Sequence, residues 1–131
     1  ARCGARDVAR WMRDPGLVRN QLKLESVIAN ARAFEAVRRE HGTFARYLWG
    51  FVAGRPVVTR RRGPRQVPAT TPLSDLIAKD LKRRGFRFVG STIVYAYLQA
   101  VGVVDDHVDA CFRARARRVS GRRSVRRRRR P

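Results

Sequence analysis

Acidic side chains are scarce in this chain: ten Asp and Glu stand against 31 Lys and Arg, a formal net charge of +21. That deficit excludes a self-neutralising surface and asks for a polyanionic partner. Lysine is nearly absent too, since 28 of the 31 cations are Arg. The planar guanidinium fork suits phosphate oxygens, so nucleic acid is the partner the composition favours. Two cysteines exclude a disulfide framework and leave metal binding or burial as their uses. No stretch approaches the ~18 consecutive apolar residues of a membrane span, and the N-terminus shows no charged-then-apolar signal pattern. The expectation is a cytosolic protein with no membrane partner. No alternation long enough for a useful strand occurs, and no repeat of twenty residues or more.

What is present reads as helices with short connections. Ala5 to Arg13 sets Val8, Trp11 and Met12 at helical spacing before Asp14-Pro15-Gly16 stops it. Leu17 to about Arg39 is the longest periodic run, with Leu24, Val27, Ile28, Ala31 and Phe34 on one predicted stripe, closed by His41-Gly42. Thr43 caps a third helix through Ala53. Pro56 to Thr71 is a basic loop holding Arg60-Arg61-Arg62-Gly63. A fourth helix, Pro72 to Arg84, places Leu73, Leu76, Ile77 and Leu81 on one face. Ser91 to Val101 carries so many apolar positions that it reads as the central, mostly buried helix, with Tyr95 and Tyr97 both in the core.

The charge is unevenly placed. From Arg113 onward there are eleven Arg and no acid, and the run at 126–130 cannot bury enough apolar surface to offset its ordering entropy. The expected organisation is therefore one compact all-α domain over 1–112 and a basic, Arg-rich disordered tail over 113–131. The chain starts at Ala1 and not at Met, which is read as processing or a fragment.

Between the last two helices, Gly85-Phe86-Arg87-Phe88-Val89-Gly90 forms a glycine-bracketed hairpin. If the second helix starts near Ser91, the amides of Gly90, Ser91 and Thr92 face outward at a helix N-terminus, a seat for a phosphate, flanked by Arg83, Arg84 and Arg87. A helix-hairpin-helix element holds a DNA backbone in this way without reading sequence. Its bland counterpart is an ordinary αα turn with surface arginines. Further on, His107 and Cys111 stand four residues apart, both suited to zinc, yet two ligands are half of a tetrahedral site. The neighbouring acids, Asp105 and Asp106, read as groups that cap or orient His107.

The stretch LIAKDLKRRGFRFVGSTIVYAYLQAVGVVDDHVDACF, with DPGLVRNQLKLESVIANARAF, YLWGF and ATTPLSDLIAKDLKRRGF before it, closely resembles the DNA-3-methyladenine glycosylase I family of helix-hairpin-helix repair enzymes. The resemblance covers about Asp14 to Phe112. Gln21, Ser91 and Asp105 depart from it without removing a motif. It implies hydrolysis of the N-glycosidic bond of 3-methyladenine in double-stranded DNA by a monomer, in the cytoplasm or on a bacterial nucleoid. It also implies a zinc site in which His107 and Cys111 join a Cys and a His from the family's N-terminal part. Cys3, in Arg2-Cys3-Gly4, is the candidate third ligand; His41, proposed by counting as the fourth, sits at a helix end unlike any family ligand. The family's segment that follows its Arg-Cys-Gly start, with the base-pocket glutamate and aromatics, has no counterpart here, so no catalytic residue is assigned. Three readings stand: a truncated glycosylase, a non-catalytic helix-hairpin-helix DNA-binding module, and a basic RNA-associated protein favoured by charge alone.

Overall fold

A computed structural model of the chain describes residues 2–114, and the Arg-rich segment beyond, including most of the expected tail, lies outside them. The elements run α1 (Ala5–Trp11), α2 (Gln21–His41), α3 (Phe44–Gly50), β1 (Val57–Val58), a 3-10 turn (Pro64–Gln66), α4 (Pro72–Arg83), α5 (Ser91–Ala100) and β2 (Val104–Asp105). The all-α expectation holds apart from two short strands. No helix among the described residues is long and apolar enough to cross a membrane.

Local chemistry sets the boundaries. Asn20 accepts the amide of Lys23 at 3.1 Å, so α2 starts at Gln21 and not at Leu17. Thr43 Oγ1 accepts the amide of Arg46 at 3.0 Å, and Thr71 and Ser74 exchange a reciprocal box at 3.2 and 2.8 Å that opens α4 behind Pro72. The turn after α2 takes φ +79° at Gly42 and the one after α4 takes +92° at Gly85, both in the region where a Cβ is strained.

The core lies where α3, α4, α5 and β2 meet: Tyr47, Leu48, Ile77, Ala78, Leu81, Val94, Tyr95, Leu98, Val103 and Val104, joined by Val37 of α2. Three expected faces shift. On α2 the buried set is Ser26, Ile28, Ala33 and Val37, while Val27 is 58% exposed. The stripe turns because α1 packs on this helix as well as α3, and neither covers a single straight row of side chains. On α4, Ser74, Ala78 and Asp80 join Ile77 and Leu81 inside, and Leu76 is left outside. On α5 only Val94, Tyr95 and Leu98 are buried; Ile93 and Tyr97 face outward, so it is a one-sided helix and Tyr97 is not a core residue.

The strands are a parallel clasp two residues long, Val57 against Val104 and Val58 against Asp105, too short for any alternation to announce it. An isolated bridge, Arg61 to Val108, extends the pairing past β1. The clasp closes the segment containing α4, the hairpin and α5 upon itself.

Ile77, fully buried, and Leu76, 55% exposed, test this orientation of α4. Ile77→Ala should destabilise by about 2–5 kcal/mol and Leu76→Ala by no more than about 0.5 kcal/mol, read from urea midpoints.

Candidate nucleic-acid interface

The hairpin is built from both ends. Phe86 turns inward, its ring 6.2 Å from that of Phe44, and Phe88 turns outward, exposed, with φ +57°. A phenylalanine in the left-handed region costs on the order of 1–3 kcal/mol, which the surrounding anchors must offset. The main anchor comes from α2, fifty-seven residues away in sequence. Asn30 Oδ1 accepts the amide of Arg87 at 2.7 Å and Asn30 Nδ2 donates to the Arg87 carbonyl at 3.0 Å. One side chain thus satisfies both main-chain groups of the hairpin's arginine, as a neighbouring strand would. Nothing in the spacing around Asn30 announced this; the long sequence separation hides it.

At the far end of the hairpin, Gly90 is the N-cap of α5, and no side chain caps the helix. Its first-turn amides are therefore available to an outside acceptor. Ser91 is half-buried, with its hydroxyl 2.8 Å from that of Ser74, which locks the start of α5 onto the start of α4; Thr92 is exposed beside it.

The three flanking arginines have different employment. Arg84 bonds Asp80 through Nε at 2.7 Å and Glu40 through both terminal nitrogens at 2.6 and 3.2 Å, and its guanidinium carbon lies 5.1 Å from the centre of the Tyr47 ring. Arg83 also bonds Asp80, although its side chain is largely exposed. Arg87 is exposed, held only through its main chain. Burial pushes the Asp80 carboxyl up, but the bonds from Arg84, Tyr47 and Arg83 outweigh it and hold the group below the usual carboxylate range. Arg84 is accordingly a brace between α2, α4 and the hairpin.

The hairpin's Arg87 also lines a groove between α1 and α2 with Val8, Met12, Glu25, Ile28 and Arg32. Glu25 is a carboxylate there, but no aromatic ring lines the groove, so it is not a pocket of stacked faces for a flat base.

At the opposite end of α5 the chain turns through Asp105 to Cys111. His107 Nδ1 and Cys111 Sγ are 3.8 Å apart, so the structure does bring the pair together. It does not bring Cys3 to them: Cys3 lies before α1, its carbonyl 3.3 Å from Arg32, and the described residues contain no group of three His, Cys, Asp or Glu able to hold a metal. His41 packs on Tyr47 instead, with ring centres 5.2 Å apart. Asp106 does not orient His107 either. Its buried carboxylate accepts from the Tyr95 hydroxyl and, at 2.8 Å, from Gln99, tying the turn to α5. Burial and then the Asp106 carboxylate push the Tyr95 hydroxyl up to about 12.

The family model for methyladenine glycosylase matches residues 1–114. The chain belongs to the methyladenine glycosylase family. It is 41% identical over 105 residues to DNA-3-methyladenine glycosylase 1 of Escherichia coli, covering 80% of this chain and 56% of that one. To the DNA-3-methyladenine glycosylase of Haemophilus influenzae it is 39% identical over 111 residues, 85% and 60% of the two chains. Among solved structures, a crystal structure of 3-methyladenine DNA glycosylase I matches with a TM-score of 0.79 at 41% identity, over 85% of this chain and 61% of that one. A variant of another 3-methyladenine DNA glycosylase I, in complex with 3-methyladenine, matches with a TM-score of 0.80 at 29% identity, over 85% of this chain and 60% of that one. The chain thus spans less than two thirds of the length of these relatives.

Two outcomes follow for the family fold in this chain. Asn30→Ala should cost about 0.5–1.5 kcal/mol of stability, the net worth of bonds to an exposed main chain, and should speed hydrogen exchange at the Arg87 amide before that of α5. Tyr95 keeps its proton longer when folded than its ordinary value of 10.0 allows, so its contribution is complete below about pH 10 and lost between about pH 10 and 12. Tyr95→Phe should lower stability at pH 8 by about 1–3 kcal/mol and shrink the further fall from pH 10 to 12, both read by urea unfolding.

Proposed function

We propose that this chain supplies the DNA-backbone grip for hydrolysis of the N-glycosidic bond of 3-methyladenine in double-stranded DNA, as a monomer in the cytoplasm. The observation that supports this most is the hairpin, fixed by Asn30 and by the brace at Arg84, presenting an uncapped helix N-terminus in a chain of the methyladenine glycosylase family. The relatives' names supply the substrate.

An enzyme acting on a stacked base must extrude it, at a cost of a few kcal/mol that is smaller for a damaged base. An alkylated adenine is cationic and already a good leaving group. The protein's tasks are then to hold the opened backbone and to select the cation with aromatic faces and a carboxylate. In this reading Gly90, Ser91 and Thr92 receive a backbone phosphate on their amides and Arg87 adds charge beside it, while Gly85 lets the chain turn. Arg83 and Arg84 act through Asp80, keeping the hairpin's base in place. The groove beside Arg87 has no aromatic wall, so it does not supply that selecting pocket.

The resemblance implies zinc at His107 and Cys111. Zinc–nitrogen bonds of about 2.0 Å and zinc–sulfur bonds of about 2.3 Å at a tetrahedral angle would set the two donors roughly 3.5 Å apart, and 3.8 Å is observed. The pair therefore fits half of a site, the described residues do not complete it, and no step above runs through a metal.

Thr92→Glu is the test, since it sets a carboxylate against the proposed phosphate seat while remaining compatible with a helix N-terminus. Duplex affinity should fall about tenfold or more, equivalent to ~1.4 kcal/mol. Release of free 3-methyladenine from methylated duplex, with a full-length relative as control, then decides between two roles. Release lost in Thr92→Glu supports the glycosylase reading; duplex binding without release leaves a DNA-binding module; no duplex binding overturns both.

A further inference from the structure

We propose that Arg60, Arg62 and Arg65 form a second contact to the phosphate backbone of duplex DNA, at the end of α5 remote from the hairpin. This rests on the reading that the hairpin holds DNA.

The first support is that the loop bearing these residues is built and not slack. Val57 donates its amide to the Val103 carbonyl at 2.8 Å, Thr59 to Asp105 at 2.9 Å, and Asp109 returns its amide to the Arg61 carbonyl at 2.8 Å. Beyond the bridge, Gln66 Oε1 accepts the amide of Arg62 at 2.7 Å, closing the chain over the 3-10 turn. Extended backbone turns alternate side chains to opposite sides. Arg61 is accordingly half-buried, its guanidinium near enough to the Tyr95 hydroxyl to oppose the effect of Asp106 on it, while Arg60 and Arg62 are exposed on either side and Arg65 follows on the exposed turn. Arg61 serves as the root that lets its two neighbours stand outward.

The second support is charge that is free to be used. At the hairpin, Arg83 and Arg84 are joined to Asp80 and Glu40, so a phosphate approaching them must compete with carboxylates already in place. No ion pair among the described residues engages Arg60, Arg62 or Arg65. From His41 to Ser74 the sequence has no acidic residue at all. On the facing segment the Asp106 carboxylate is taken up by Tyr95 and Gln99. An exposed guanidinium row on fixed backbone is the form of surface that releases counterions when it meets phosphates.

The third support is spacing. The ten residues of α5 separate the hairpin from this row by roughly 15 Å at about 1.5 Å per residue. That is on the order of four to five base steps at about 3.4 Å per step of one strand. A duplex of that length spans the distance between the two.

The experiment measures duplex Kd by fluorescence anisotropy across salt for the full chain, Thr92→Glu, the triple substitution Arg60→Gln/Arg62→Gln/Arg65→Gln, and the same three positions changed to Lys. Each phosphate contact contributes about 0.9 to the slope of log K against log salt. The triple Gln protein should lose about two to three units of slope with an unchanged melting temperature, and the triple Lys protein should recover most of them. An unchanged slope in the triple Gln protein, when the parent binds duplex and Thr92→Glu weakens it, overturns the second contact and leaves the hairpin reading in place. No salt-dependent duplex binding by the parent overturns both. A loss confined to single-stranded RNA, with duplex binding intact, also overturns it.

Discussion

The interaction on which the structure most depends is the carboxylate of Asp80, near the end of α4. It receives the Tyr47 hydroxyl from α3 at 2.8 Å, Arg84 Nε from the entrance to the hairpin at 2.7 Å, and Arg83 besides; Arg84 then reaches on to Glu40 of α2. One buried acid so gathers three helices and the root of the hairpin. Burying it alone would be costly, and the charge is tolerable because every side of it has a donor. The aromatic cluster of Phe34, Phe44, Tyr47 and Phe51 packs beside this point, and the Tyr47–Asp80 bond is the buried one of the set.

This arrangement divides the arginines of a very basic chain into two kinds. Arg84 and Arg83 hold the fold together through Asp80 and Glu40. Arg87, Arg60, Arg62 and Arg65 are left facing outward. Net charge alone does not distinguish them, and it overstates what a polyanion can use. At the hairpin the main-chain amides at the start of α5 are uncapped while two of the three guanidiniums are held by carboxylates, and Arg60, Arg62 and Arg65 are exposed near the opposite end of that helix.

Much of the helical plan was legible because helix ends are written locally. Thr43, Thr71-Pro72, Gly42 and Gly85 each act within four residues, and each marks the boundary the structure has or comes within a residue or two of it. The hairpin between Gly85 and Gly90 was legible for the same reason, and the resemblance to the family extended that reading to function. Orientation was less legible. The faces of α2 and α5 are chosen by which neighbours cover them, so Val27 and Tyr97 sit outside although their periodicity fits a core. Asn30, the Asp80 brace and the β1–β2 clasp join residues far apart in sequence, and no local pattern encodes such pairs. Asp106 and Arg84 show a limit of local reading: each lies near a candidate site, yet its observed bonds go to Tyr95 and Gln99 or to Asp80 and Glu40.

The clasp between β1 and β2 has a mechanical side. It staples the two ends of the segment from Val57 to Asp105 side by side, so α4, the hairpin and α5 form a closed ring of chain. A load applied at the hairpin travels down both helices and meets at that clasp. The ring thus has the hairpin at one end and the clasp, with the His107–Cys111 turn beside it, at the other.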